Sequence, residues 1–180
     1  MPIAENEKKL AELILYISQK LADDPNFGQV KLNKVLFFAD FTSFGKYGIT
    51  ITGAEYQHLD QGPTVYQMLP VQRELKSEEA LAIQPTSYWG YSQNRTVNLR
   101  EPDLSLFSGQ EIALVDLWVD RLRPMTAVEV SRLSHETASW ATTSDREIID
   151  PKTVFLSWAP LTAAELRRGQ ELAAEHGLLA

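Results

Sequence analysis

Apolar residues recur at helical spacing from the start of the chain. Leu10, Leu13, Ile14, Ile17 and Leu21 follow the i, i+3, i+4, i+7 pattern, which predicts an amphipathic helix over 6–23. Asp24-Pro25-Asn26 and Gly28 end it. A second helix is predicted over 31–46, with Leu32, Val35, Leu36 and Ala39 on one stripe. Phe37, Phe41 and Phe44 form another stripe beside it, and Gly45 and Gly48 supply the stop. A helix apolar on two faces belongs at the centre of a domain.

The middle of the chain changes texture. Residues 49–59 are rich in β-branched and aromatic side chains and predict a strand, with Tyr56 and His58 on one face. Gly62-Pro63 predicts a turn that opens a helix over 65–79, kinked or restarted at Pro70. Residues 81–83 and 96–99 predict two short strands, with Tyr88, Trp89 and Tyr91 in the loop or hairpin between them.

Helical signals return in the last third. Ser108 with Glu111, Thr126 with Glu129 and Thr162 with Glu165 each match the capping box, in which side chains satisfy the first orphaned amides of a helix. Val115, Trp118, Val119 and Leu122 make the buried stripe of the first of these helices. Pro124 separates it from a short helix ending near His135. Pro151 and Pro160 bracket an irregular stretch before a final helix over 162–177, expected to pack on the rest. The predicted class is α+β, mainly α: one compact helical domain over 1–180 with a small antiparallel β-sheet.

Composition narrows the function. The chain has 180 residues, 44% hydrophobic and 23% charged, as expected for a folded protein rather than a disordered one. It has no cysteine, which excludes disulfides, thiolate zinc sites and cysteine nucleophiles. Its three histidines leave little for an all-histidine metal site, and neither metal nor cofactor is expected. With 17 Lys and Arg against 24 Asp and Glu, the net charge is −7. Residues 101–150 hold 4 basic and 10 acidic groups, a balance of −6, and so carry most of that excess. Direct nucleic-acid binding is disfavoured, since the basic pairs Lys31 with Lys34, Arg121 with Arg123 and Arg167-Arg168 all have acidic neighbours. Residues 1–9 lack an apolar signal core and no apolar run approaches bilayer length, so a cytoplasmic protein is expected.

Catalytic motifs are absent: the sequence has no phosphate loop, dinucleotide fingerprint or nucleophile elbow. If His58, Asp60 and His135 meet in space they make an acid–base site; otherwise each histidine fixes a corner of the fold by hydrogen bonding. Tyr88, Trp89 and Tyr91 either pack over the small sheet or form an exposed contact cluster.

The residues also carry a family pattern. The run Lys31-Leu32-Asn33-Lys34-Val35-Leu36-Phe37-Phe38-Ala39-Asp40-Phe41 resembles the opening of the Panacea domain, also called the SocA-like antitoxin domain. Thr52-Gly53 followed by Tyr56 resembles its connection into a strand, and Gly62-Pro63 its turn before a helix. Leu133-Ser134-His135-Glu136 with Trp140 resembles its "L-(S/T)-H-E…W" segment. The blocks stand in the family's order over about residues 30–145. Thr64 replaces the common valine after Gly-Pro, and Pro70 falls in a helix that is usually continuous.

The resemblance implies an antitoxin of a bacterial or phage toxin–antitoxin pair, binding a separately encoded toxin. Some relatives act instead as adaptors that deliver a toxin to a AAA+ protease; neither role needs catalysis. The residues expected to contact a toxin are Asp40, Tyr56, His58, Asp60, Tyr88, Trp89, Tyr91, His135, Glu136 and Trp140. Lys31, Leu32, Lys34, Phe37, Phe38, Gly53, Gly62 and Pro63 are the framework of the motif. An enzyme using Asp40, His58, Asp60, His135 or Glu136 is the remaining alternative.

Overall fold

The computed structural model describes residues 3–4, 7–88, 91–156 and 163–175. Helices α1 (Lys8–Lys20) and α2 (Gln29–Tyr47) form its centre. Residues 31–41 of α2 are buried without a break, so this stretch of the helix is enclosed on every side. Gly48, with φ +74°, ends α2 in the left-handed conformation, its N–H bonding to Phe44 O. Between α1 and α2 the buried carboxylate of Asp24 meets Lys31 Nζ at 2.5 Å, and the same ammonium donates to Arg123 O at 3.1 Å.

Aromatic rings fill the space around α2. Phe37 lies 4.3 Å from Phe41 and 5.6 Å from Tyr56, centroid to centroid, and Phe38 stacks on Trp118 at 4.4 Å. Trp118 belongs to α4 (Gly109–Leu122), which buries Val115, Val119 and Leu122 and anchors its indole N–H on Thr42 Oγ1 at 2.9 Å. Both capping boxes expected in this part, Ser108 with Glu111 and Thr126 with Glu129, are formed, and they start α4 and α5 (Ala127–His135). Helix α6 (Ala138–Ala141) follows, capped by Thr137. Helix α7 (Ala163–Glu175) is also present, but Thr162 of its expected box lies outside the described residues. No helix among the described residues is long and apolar enough to cross a membrane.

Three expectations need correction. The strand over 49–59 shrinks to β1 (Tyr56–Gln57), which pairs antiparallel with β2 (Thr64–Val65). The cause is Asp40: its Oδ1 accepts the amides of Ile51 and Thr52 at 2.8 and 2.9 Å, and Gly53 turns the chain with φ +70°. Those amides are then lost to any sheet ladder. The helix after Gly62-Pro63 starts later than expected, as α3 (Met68–Ser77), because Thr64 and Val65 pair with β1. Pro70 then sits in its first turn, where a missing N–H costs nothing. The two short strands are longer, β3 (Leu81–Tyr88) and β4 (Tyr91–Asn98), in register from Leu81↔Asn98 to Tyr88↔Tyr91. The hairpin is moored to α1 by Ser18 and Thr96, whose hydroxyls are 2.6 Å apart, and to the segment after α1 by Arg95, which donates to Asp24 O and Ala22 O.

Candidate functional site

The expected toxin-contact residues separate into an interior group and a surface group. Asp40 and Tyr56 are 1% exposed each. Asp40 takes hydrogen bonds from two backbone amides, the Thr52 hydroxyl and the Tyr56 hydroxyl, the last at 2.7 Å. Burial raises its pKa while these donors oppose the shift. Burial beside the Asp40 carboxylate likewise pushes the Tyr56 phenol well above its ordinary value. Neither side chain reaches the surface, so their work is to hold the 49–54 loop against α2.

The second group converges. His135 is the last residue of α5, Trp140 belongs to α6, and His58 follows β1. The Trp140 ring is stacked with His58 at 3.3 Å and with His135 at 4.2 Å, with interplanar angles of 19° and 17°. Two imidazoles that close to one ring would overlap on the same face, so the indole lies between them. The backbone N–H of His58 bonds to Glu147 O and its carbonyl accepts from Arg146 N, which ties β1 to the segment before residue 150. The Thr143 hydroxyl donates to carbonyls of Ser139 or Trp140. It therefore receives the Nδ1–H of His58 at 3.0 Å, which assigns the tautomer of that ring.

The interposed indole keeps His58 and His135 from exchanging a proton directly across Trp140. His135 Nε2 is buried with no hydrogen-bond partner among the described residues. Burial, then the neighbouring Lys34 and His58, lower the His135 pKa, so it is neutral at neutral pH.

Beside this stack the Gly62-Pro63 corner covers Lys34. Lys34 is 1% exposed, and its Nζ donates to Pro63 O at 3.0 Å. Burial drops its pKa to about 7. Gly62 has φ +95°, and a Cβ there would fall 2.7 Å from Lys34 Cε and still closer to Ser134 Oγ. Only glycine fits this approach. Two clefts open beside the corner, sharing Val30 and Gln61. One, of about 430 Å³, is lined by Lys34, Asn33, Asp60 and Arg146 among others; the second runs along α5 past Val128 and His135.

Asp60 is exposed at the first cleft, and Glu136 is exposed at the end of α5. Tyr88 and Tyr91 pair at the far end of the hairpin, and Trp89 lies outside the described residues. The sequence reading missed Arg146 and Val128 as wall residues; neither belongs to a motif block. Lys34 carried one available signal, a second lysine on a helix that is apolar on two faces. Among the described residues no group of three His, Asp or Glu side chains is placed to hold a metal ion.

A family model described as antitoxin SocA-like, Panacea domain, matches residues 32–141, over half of the chain. Searches of curated proteins and of solved structures found no match.

Proposed function

Because this chain belongs to the Panacea domain family of SocA-like antitoxins, we propose that it binds a separately encoded toxin and neutralises it by direct contact. The family match is the observation that carries this reading; it points to a toxin–antitoxin role without chemistry by this chain. The surface we assign to the contact is the face around the Gly62-Pro63 corner, with Trp140, His58, His135, Asp60 and Glu136. Three features support that face. Trp and its flanking imidazoles make a rigid, half-buried aromatic anchor of the kind that dominates contact energies. Val128 on α5 is 77% exposed at the edge of the second cleft, an apolar side chain with no cover. The acidic surplus of residues 101–150 speeds encounter with a basic partner more than it strengthens the complex.

The hairpin end with Tyr88 and Tyr91 is a second stretch proposed for the contact. Co-purification with the product of the adjacent reading frame tests the reading. A stable complex with that product, with its lifetime in the cell unshortened, is the expected result. A shortened lifetime that depends on a AAA+ protease means delivery to that protease, and no interaction at all removes the reading.

A further inference from the structure

Two lysines of α2 are buried three positions apart, yet they are treated differently. Lys31 has Asp24 at 2.5 Å as its counter-charge. Lys34 has none: among the described residues its hydrogen bond is to Pro63 O, and no carboxylate forms an ion pair with it. An ammonium has three N–H donors, and among the described residues the one acceptor given to them is Pro63 O, a neutral carbonyl. A buried cation in this state is costly, and a Leu or Met of similar volume would avoid the cost.

The Lys34 side chain also lines the 430 Å³ cleft that reaches solvent beside the corner. We propose that this cleft is a binding site for a single carboxylate, with Lys34 as its charged floor and Gln29, Asn33, Gln61 and Arg146 as donors around it. The side chain of Asn33 uses one amide hydrogen on Gln29 O, and the Gln29 amide oxygen accepts from Gln72, which leaves N–H groups for a ligand. The titratable group close to Lys34 from α5 is His135, which adds positive charge when protonated. The acidic groups of the cleft are Asp60 and Asp145, both exposed at its rim, and Asp145 stands 3.7 Å from Arg146. A carboxylate carries one negative charge, which the single buried ammonium matches, whereas the second charge of a phosphate dianion would have only Arg146, which already stands beside Asp145. The lowered Lys34 pKa, about 7, makes the ammonium responsive to an incoming anion near neutral pH.

The carboxylate can belong to a small free acid or to an acidic side chain of another protein, and the test separates them. The site rests on its own geometry and not on the toxin-binding reading, and the test uses the isolated full chain. The Lys34 side chain is titrated by NMR in chloride, in acetate, in acetamide and in N-acetylaspartate amide, at matched ionic strength. With ligand at about ten times its Kd, the Lys34 midpoint rises by about one pH unit, because the anion binds the charged form. Acetamide leaves it unmoved. A rise in both acids identifies the carboxylate alone as the ligand, so free acids suffice; a rise with N-acetylaspartate amide alone identifies a side chain as the source. Equal midpoints in chloride and both acids overturn the site. So does a Lys34→Met chain whose melting temperature gains as much from either acid as the wild type does.

Discussion

The ammonium nitrogen of Lys34 lies 3.0 Å from the carbonyl oxygen of Pro63, at the corner that Gly62 allows to approach it closely. This places a charge in a niche that favours the neutral amine. The folded-state pKa, about 7, is below the ordinary 10.5. Between those values the unfolded chain holds a proton that the folded one has released, so stability rises with pH across that window. Below about pH 7 both states are protonated and the penalty is complete.

Lys34→Met therefore stabilises the protein, most strongly below pH 7. At about 1.4 kcal/mol per unit, the gap between 10.5 and about 7 sets an upper bound near 5 kcal/mol, less the lost bond to Pro63. Urea denaturation at several pH values checks it. The rise in stability between neutral and alkaline pH should flatten in the variant; an unchanged slope means that Lys34 is not the group responsible.

Gly62→Ala acts on the same corner with the opposite sign. The new Cβ meets Lys34 Cε at 2.7 Å and crowds Ser134 Oγ, in a backbone conformation with φ +95°. A loss of about 3 kcal/mol is expected, from overpacking plus left-handed strain. Ser134→Gly added to it should return part of that loss, and full additivity of the two changes would refute the clash.

Tyr56→Phe removes one donor from Asp40 and leaves a buried carboxylate under-satisfied. The cost is about 1–3 kcal/mol. Hydrogen exchange at the Ile51 and Thr52 amides, both bonded to Asp40, should accelerate. Unchanged exchange there would mean that the loop does not depend on this network.

Val128→Glu probes the contact face. With Val128 77% exposed, the substitution should leave the unfolding free energy within about 0.5 kcal/mol of the wild-type value. Affinity for the toxin should fall about tenfold or more, read by calorimetry, if an apolar contact centred there is lost. Wild-type affinity in this variant moves the contact away from α5.

What the sequence made legible follows from range. The boxes Ser108–Glu111 and Thr126–Glu129 span three residues, so the string displays them, and both form. The enclosure of α2 was visible in its two stripes, one of which includes Phe37 and Phe41. The 49–59 strand failed because Asp40, on the preceding helix, takes the amides that β-propensity assigns to a sheet. His58, His135 and Trp140 were each singled out, but their stacking depends on where β1, α5 and α6 meet, which no local pattern records. The acidic stretch is similarly double-edged. Asp103, Glu111, Glu129, Glu147 and Asp150 accept local backbone amides, so a count of charges hides how many of them are also caps.

Neutralisation is tested most directly by growth of cells that express the adjacent reading frame with and without this chain. The account predicts that the neighbour alone arrests growth and that co-expression of the wild-type chain restores it. A neighbour that is harmless alone, or that arrests growth equally in the presence of this protein, would contradict it.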